Sequence, residues 1–445
     1  MGKFEIKDGV AIIPEGTQEI PVWEFRGRED LVEVTFPEGL CKIGGGAFEN
    51  CVNLKSIHIP ASVKSIGANP FQGCSGLVSI TVDERNSCYD SREGCNAIIY
   101  DISSPPIRIP AELIAGCSAT VIPESVRIIR NGAFAGITSL ESIKIPSSIT
   151  HIGENEWGTG PFENCSSLKE VLIPSSVTYI RANSFRGCSA LESITVEEGN
   201  KIYDSRENSN AIIETQADTL LVGCACTKIP SGVKTLAVDS FYGCKGLTDI
   251  VIPEGVKVIE ATAFDACRSL KSVSLPEGLE RIGHRAFRGC SALESIEIPA
   301  SVNNLGMEPF ANCPSLVSVK VHPDNPVYDS REDCNAIIVT DENLLILLSR
   351  DAIIPSTVKK LDENAVCGGQ TRISIPKGIT SVPMCFFDPA YETLTSLVFP
   401  TGLSGLPKGL FDSLESLQAI YVPAKKSDYY KKRIPEKLHP IIIEL

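Results

Sequence analysis

Apolar residues in this chain return at a fixed spacing of 23, and the prolines that follow them keep the same count. Pro253, Pro276 and Pro299 are 23 apart, as are Pro37 and Pro60, Pro123 and Pro146, and Pro400 and Pro423. The stretch ALESIEIPASVNNLGMEPFANCPSL shows one unit. Within it Leu293, Ile296 and Ile298 point one way and Ser295 and Glu297 the other, which predicts a strand with one buried face. Pro299 ends the strand, because proline has no N–H for a ladder. A turn and a second inward aliphatic follow, Val256 or Ile259 in another copy, and the returning segment carries a phenylalanine. Phe48, Phe71, Phe134, Phe162, Phe185, Phe241, Phe264, Phe287 and Phe310 hold that register, which predicts a stacked aromatic spine on the outer side of the core. The A-F-x-x-C stretches are too brief for stable helices and are expected as helical turns.

A unit this short cannot bury its apolar face alone, so the period predicts a solenoid whose coils bury it against each other. There is room for about nineteen coils, a stack ~90 Å long at strand spacing. The expected fold is a mostly β solenoid. It has one parallel sheet, including strands at 57–59, 143–145, 273–275 and 296–298, and short helical turns on the outer side. Residues 1–30 are assigned to an N-terminal cap and first coil, 31–423 to the solenoid, and 424–445 to a C-terminal cap. A hairpin is expected at Asp8-Gly9. At the other end Ser427 is expected to cap a short helix carrying Tyr429 and Tyr430, with a last strand near 441–443.

Three related cassettes interrupt the period: ITVDERNSCYDSREGCNAII, ITVEEGNKIYDSRENSNAII and VKVHPDNPVYDSREDCNAII, near 80–115, 194–222 and 319–348. Each lacks the closing proline and is followed by a second apolar run, which predicts a β-hairpin excursion; in the third copy Asp341, Glu342 and Asn343 form the turn. The first copy carries an extra surface loop at 103–110.

The net charge is −14, which argues against a duplex nucleic-acid binder. One dense basic cluster exists, at Lys425, Lys426, Lys431, Lys432 and Arg433, and is assigned to a solvated cap surface. The longest aliphatic run, Leu344–Leu348, is far too short to cross a membrane. The opening residues have no apolar signal core, so the chain as given is expected to be cytoplasmic; an N-terminally truncated protein would be secreted or on the cell surface. Of seventeen cysteines, eight sit three residues after a phenylalanine. Stacked coils would hold those thiols with parallel Cβ vectors, unsuited to disulfides, so they are expected to be buried and reduced.

The repeat LxxIxIPxxVxxIgxxAFxxCxx resembles the BspA-like leucine-rich repeat, a bacterial class, over essentially the whole chain. YDSRExxNAII and the tail YVPAKKxxYYKKRxPE resemble elements of such proteins in gut anaerobes. The resemblance implies a right-handed horseshoe-like or superhelical solenoid with a continuous parallel sheet. It also implies exported proteins that attach to host or bacterial partners.

Chemistry is sparse. His58, His151, His284, His322 and His439 form no metal spacing, and Cys224-Ala-Cys226 lacks a second pair, so no metal or cofactor is expected. The YDSR residues Asp90, Arg92, Asp204, Arg206, Asp329 and Arg331 are the cassette candidates; they hold a ligand or brace the excursion, and bracing is favoured. The expected function is non-enzymatic: binding of a protein or glycan-bearing surface through the outward face of the sheet, at His58, Lys144, Glu170, Glu297 and Lys320. A truncated surface adhesin contacting host matrix is the alternative, and a hydrolase built on the YDSR residues is a third reading. The oligomeric state is left open.

Overall fold

A computed structural model describes residues 4–101, 110–154, 158–390, 392–407 and 409–445. The expected loop at 103–110 lies, but for its last residue, outside them. The chain divides into two compact units, one of residues 1–228 and 239–246, the other of 229–238 and 247–445. Each is a β-solenoid of stacked parallel strands. The one α-helix of the described residues is Ser427–Lys431, so helix is far below the ~30–35% of ordinary domains.

Most ordinary coils contribute two strands. The first is the predicted LxxIxIP strand. Ser56–Ile59 pairs in parallel with Ser79–Val82, Glu170–Ile173 with Ser193–Val196, and Ser295–Ile298 with Ser318–Val321. The second is a two-residue strand after the turn, at the second inward aliphatic. Glu19–Ile20, Lys42–Ile43 and Ser65–Ile66 form one such ladder in the first unit, and Thr235–Leu236, Val258–Ile259, Arg281–Ile282 and Asn304–Leu305 one in the second. The inward aliphatics are buried, Val256 and Ile259 completely.

The first-strand sheet is not the single continuous sheet expected from the period. It is broken into pairs and one four-stranded sheet near the C-terminus, and 143–145 forms no strand, only an isolated bridge between Ser142 and Glu170. Two of the breaks have a clear cause in the cassettes. Each is a three-stranded meander rather than a simple hairpin: in the second copy Tyr203–Asp204 runs antiparallel to Ala211–Glu214, which runs antiparallel to Thr219–Gly223. The meander occupies the place of the next coil, and its side chains take over the bonds that coil would have made. Ser205 Oγ accepts from the Val196 N–H at 3.0 Å and Asn210 Oδ1 from the Ile194 N–H at 2.9 Å. Ser330 and Asn335 do the same for Val321 and Val319 in the third copy. The first copy differs, with Ser91 donating to the Ile80 carbonyl. The short ladder is closed too: the hydroxyls of Tyr89, Tyr203 and Tyr328 accept from the N–H groups of Ile66, Ile180 and Leu305. The last cassette strand then starts a new ladder, as Leu344–Leu348 does with Lys360–Leu361.

The aromatic spine forms as predicted. Phe48 and Phe71 stack at 5.4 Å, Phe134, Phe162 and Phe185 at 5.1 and 5.2 Å, and Phe264, Phe287 and Phe310 at 5.0 and 5.4 Å. Phe4 and Phe25 extend it toward the N-terminus. The repeated cysteines lie beside the rings, and each thiol with a measured partner donates to the carbonyl of the phenylalanine one coil earlier. Cys51 reaches Phe25 at 3.0 Å, Cys188 Phe162 at 3.1 Å, and Cys290 Phe264 at 3.2 Å.

The ends are capped largely as the sequence predicts. Lys7 and Val10 close a hairpin over Asp8-Gly9, and Val10–Ile12 then joins Glu33–Thr35 in parallel. At the other end the helix forms, but Ser427 is its first residue and not its cap. The carboxylate of Glu444 accepts from the backbone N–H groups of Ser427 and Lys425 instead. Ile442–Glu444 is the final strand, parallel to Ala419–Val422.

Candidate functional site

Inward positions of the first strands are filled by core side chains, so their alternate positions form a face of side chains free of any packing duty. His58, Lys144, Glu170, Glu297 and Lys320 are all exposed there. They do not converge on one point. His58 lies on Ser56–Ile59, its Nδ1 2.9 Å from Thr81 Oγ1 on the next strand. Lys144 borders a hollow of about 540 Å³ beside Glu93, Val121 and Glu124, and Glu170 stands one coil further on, bridged through its backbone to Ser142. In the second unit Glu297 and Lys320 occupy directly opposite places on paired strands, in a hollow of about 470 Å³ shared with Ser274, Ser295 and Ser318.

The Glu297–Lys320 pair sets this hollow apart. Opposite charges one strand apart are in reach of each other. Among the described residues, many other such neighbours do join, Lys169 to Glu141 at 2.9 Å for example. Among the described residues, Glu297 and Lys320 make no ion pair with each other or with any third group, and both are exposed. Glu277, on the turn after Pro276, also borders this hollow. Leu172 and Val251 are 53% and 70% exposed on the same kind of face. A serine recurs at the first outward position of these strands and is not uniformly open: Ser56, Ser142, Ser272 and Ser295 are exposed, whereas Ser79, Ser193 and Ser318, on the strands just before the cassettes, are half-buried, as is Ser396.

The cassette residues are brought together, but with each other. Arg206 donates Nε–H and Nη2–H to both oxygens of Asp204 at 2.8 Å and Nη1–H to Asp218 at 2.7 Å, and Thr215 donates to Asp204 as well. Arg331 holds Asp329 in the same way and reaches Asn343; Arg92 holds Asp90 and Asp101. The carboxyls of Asp204 and Asp329 are pulled in opposite directions. Partial burial raises them, and the hydrogen bonds from arginine and threonine together outweigh it, leaving both below the ordinary carboxylate range. The guanidinium of each arginine and the carboxylate of its aspartate are thus engaged chiefly with each other and with residues of their own cassette.

Three bracing residues escaped the sequence reading. The amides of Asn86, Asn200 and Asn325 each donate to two carbonyls of the preceding turn, Pro60 and Val63, Pro174 and Val177, or Pro299 and Val302. The signal was present: all three cassettes read N-x-x-Y-D-S-R. Among the described residues, no three acidic, histidine or cysteine side chains are grouped to hold a metal ion, and Cys224 is buried while Cys226 is exposed.

Two-strand coils stacked on an aromatic and thiol spine define a leucine-rich-repeat solenoid. The sequence matches the BspA type leucine rich repeat region over residues 9–119, 107–216, 223–330 and 349–433, and the chain belongs to that family. No curated protein matches it. Among solved structures it is similar to a leucine rich cell surface protein of Faecalibacterium prausnitzii A2-165, at 22% identity, covering 92% of this chain and 91% of that one, with a TM-score of 0.48. It is similar also to a leucine-rich repeat protein of Eubacterium ventriosum, at 20% identity, 93% and 80% coverage and a TM-score of 0.40. The pneumococcal vaccine antigen PcpA matches at 19% identity, 98% and 79% coverage and a TM-score of 0.38. No helix of the described residues is long and apolar enough to cross a membrane.

Proposed function

We propose that this chain is a non-enzymatic interaction module that binds a protein or glycan-bearing partner through the outward face of its first strands, with the Glu297–Lys320 hollow as its centre. The supporting observation is the pair of opposed, unbridged charges seated in a hollow on a fully hydrogen-bonded strand pair. Side chains there can change without cost to the core, and a rigid backbone limits the entropy lost on binding. Electrostatic complementarity of this kind gives specificity and fast association. The test is capture from native lysate and host matrix extracts, comparing the native chain with E297K/K320E and with K245E/R268E on the bends after Cys244 and Cys267, where both residues are exposed. The sheet-face variant is expected to lose the captured partner while the bend variant keeps it. Loss with the bend variant alone would place the interaction on the other side.

A further inference from the structure

We propose that the C-terminal cap is a second binding surface, separate from the sheet face, that takes a flexible polyanion bearing sulfate or phosphate groups. The cap, residues 424–445, holds six Lys and Arg against three Asp and Glu. With the whole chain at −14, the remainder carries −17. The positive charge is therefore gathered on about one-twentieth of a strongly acidic protein.

The geometry keeps that charge open. Lys425, Lys426, Lys431, Lys432 and Lys437 are exposed, Arg433 is half-buried, and among the described residues none of the six is in an ion pair. The carboxylate best placed to neutralise them, Glu444, is committed to the backbone N–H groups of Lys425 and Ser427. The platform beneath is rigid. Tyr430 is fully buried, stacks on Phe399 at 5.6 Å and donates its hydroxyl to the Pro400 carbonyl, and Ile434 is buried beside it. The Arg433 guanidinium lies 3.7 Å over the Tyr429 ring, with Lys426 at 5.7 Å, so the cations share one aromatic base. Unneutralised like charges held on a fixed base repel one another, and a polyanion relieves that repulsion and releases its own counterions.

The same features select among anionic partners. Stable attachment to a lipid surface needs an apolar or acyl anchor beside the basic patch; Tyr430 and Ile434 are turned inward, and the exposed Ile443 and Leu445 offer only a small apolar area for such an anchor. A long stiff duplex would lie against the acidic remainder. A short, flexible chain of sulfates or phosphates touches the cap alone.

Binding is measured by titration with heparin and with inorganic polyphosphate at several salt concentrations, the two probes separating a sulfated glycan from a phosphate polymer. At least one probe is expected to bind, with affinity falling steeply as salt rises. The quadruple variant K425Q/K426Q/K431Q/K432Q is expected to lose at least tenfold in affinity and about three units of the salt slope. K425R/K426R/K431R/K432R should retain both, and so should K245Q/K271Q on exposed lysines elsewhere. E297K/K320E should leave this binding unchanged, which separates it from the sheet-face proposal. Failure of the native chain to bind either probe at low salt, equal loss in K245Q/K271Q, or binding only to anionic lipid vesicles would overturn it.

Discussion

The finest regularity of this fold is a backbone angle. Two residues after each spine phenylalanine from Phe25 to Phe310 the chain turns left-handed: Gly27, Asn50, Gly73, Gly136, Asn164, Gly187, Gly243, Ala266, Gly289 and Asn312 all have φ between 55° and 74°. Glycine and asparagine tolerate that region, and a Cβ there costs other residues roughly 1–2 kcal/mol. Ala266, at φ 61°, is the exception. Ala266→Gly is therefore expected to stabilise the second unit by about 0.5–1 kcal/mol in urea unfolding, the strain relief exceeding the added chain entropy. The thiols give a second test. Burial pushes Cys51 and Cys188 up to about 12. A raised folded pKa means that this contribution is complete below the unfolded thiol value of about 8.5. It is lost as pH climbs from there toward 12, by about 1.4 kcal/mol per pH unit per thiol. Urea midpoints between pH 8 and 10.5 should fall for the native chain and fall less for C51A/C188A; parallel slopes would contradict the burial.

At the scale of elements the cassette is a ladder terminator. Its side-chain acceptors of backbone N–H groups matter more than its ion pairs. Ser205 and Asn210 satisfy strand N–H groups that otherwise lose their partners, a loss of about 1–3 kcal/mol each, whereas the Arg206 and Asp204 heads are about a quarter exposed and screened by solvent. S205A/N210A should destabilise the first unit more than R206Q does, with faster amide exchange confined to Ile194 and Val196. The reverse order would make the Asp204–Arg206 pair, and not the side-chain acceptors, the main brace. This element also marks how far the sequence could be read. Period and alternation made the strands, the spine and the cassette positions legible, because each follows from one residue's burial. The sheet breaks were not legible, since they depend on side chains standing in for a missing neighbour across sixteen residues, as Asn210 does for Ile194. Compensated packing was equally hidden. Gly116 and Gly223 end their cassette strands under the rings of Phe134 and Phe241, where an added Cβ would lie 2.2 Å from the ring. In the third copy Leu348 takes the glycine's place and Val366 the ring's, with the same backbone bond to the preceding residue. Leucine plus valine replaces glycine plus phenylalanine, a volume swap that no single copy reveals.

For the whole molecule, each solenoid unit is a scaffold that spends its apolar and hydrogen-bonding groups internally and leaves charged heads on one face. The sheet-face positions were legible as exposed; that Glu297 and Lys320 stay unbridged in a hollow was not, because strand register alone does not determine whether two opposed heads meet. The most direct measurement is covalent footprinting of the chain alone and with its captured partner, using carbodiimide for carboxylates and an acylating reagent for lysines. Labelling of Glu297 and Lys320 is expected to drop on binding while Lys245, on the bend after Cys244, stays unchanged. Protection of Lys245 with undiminished labelling of Glu297 and Lys320 would contradict the account.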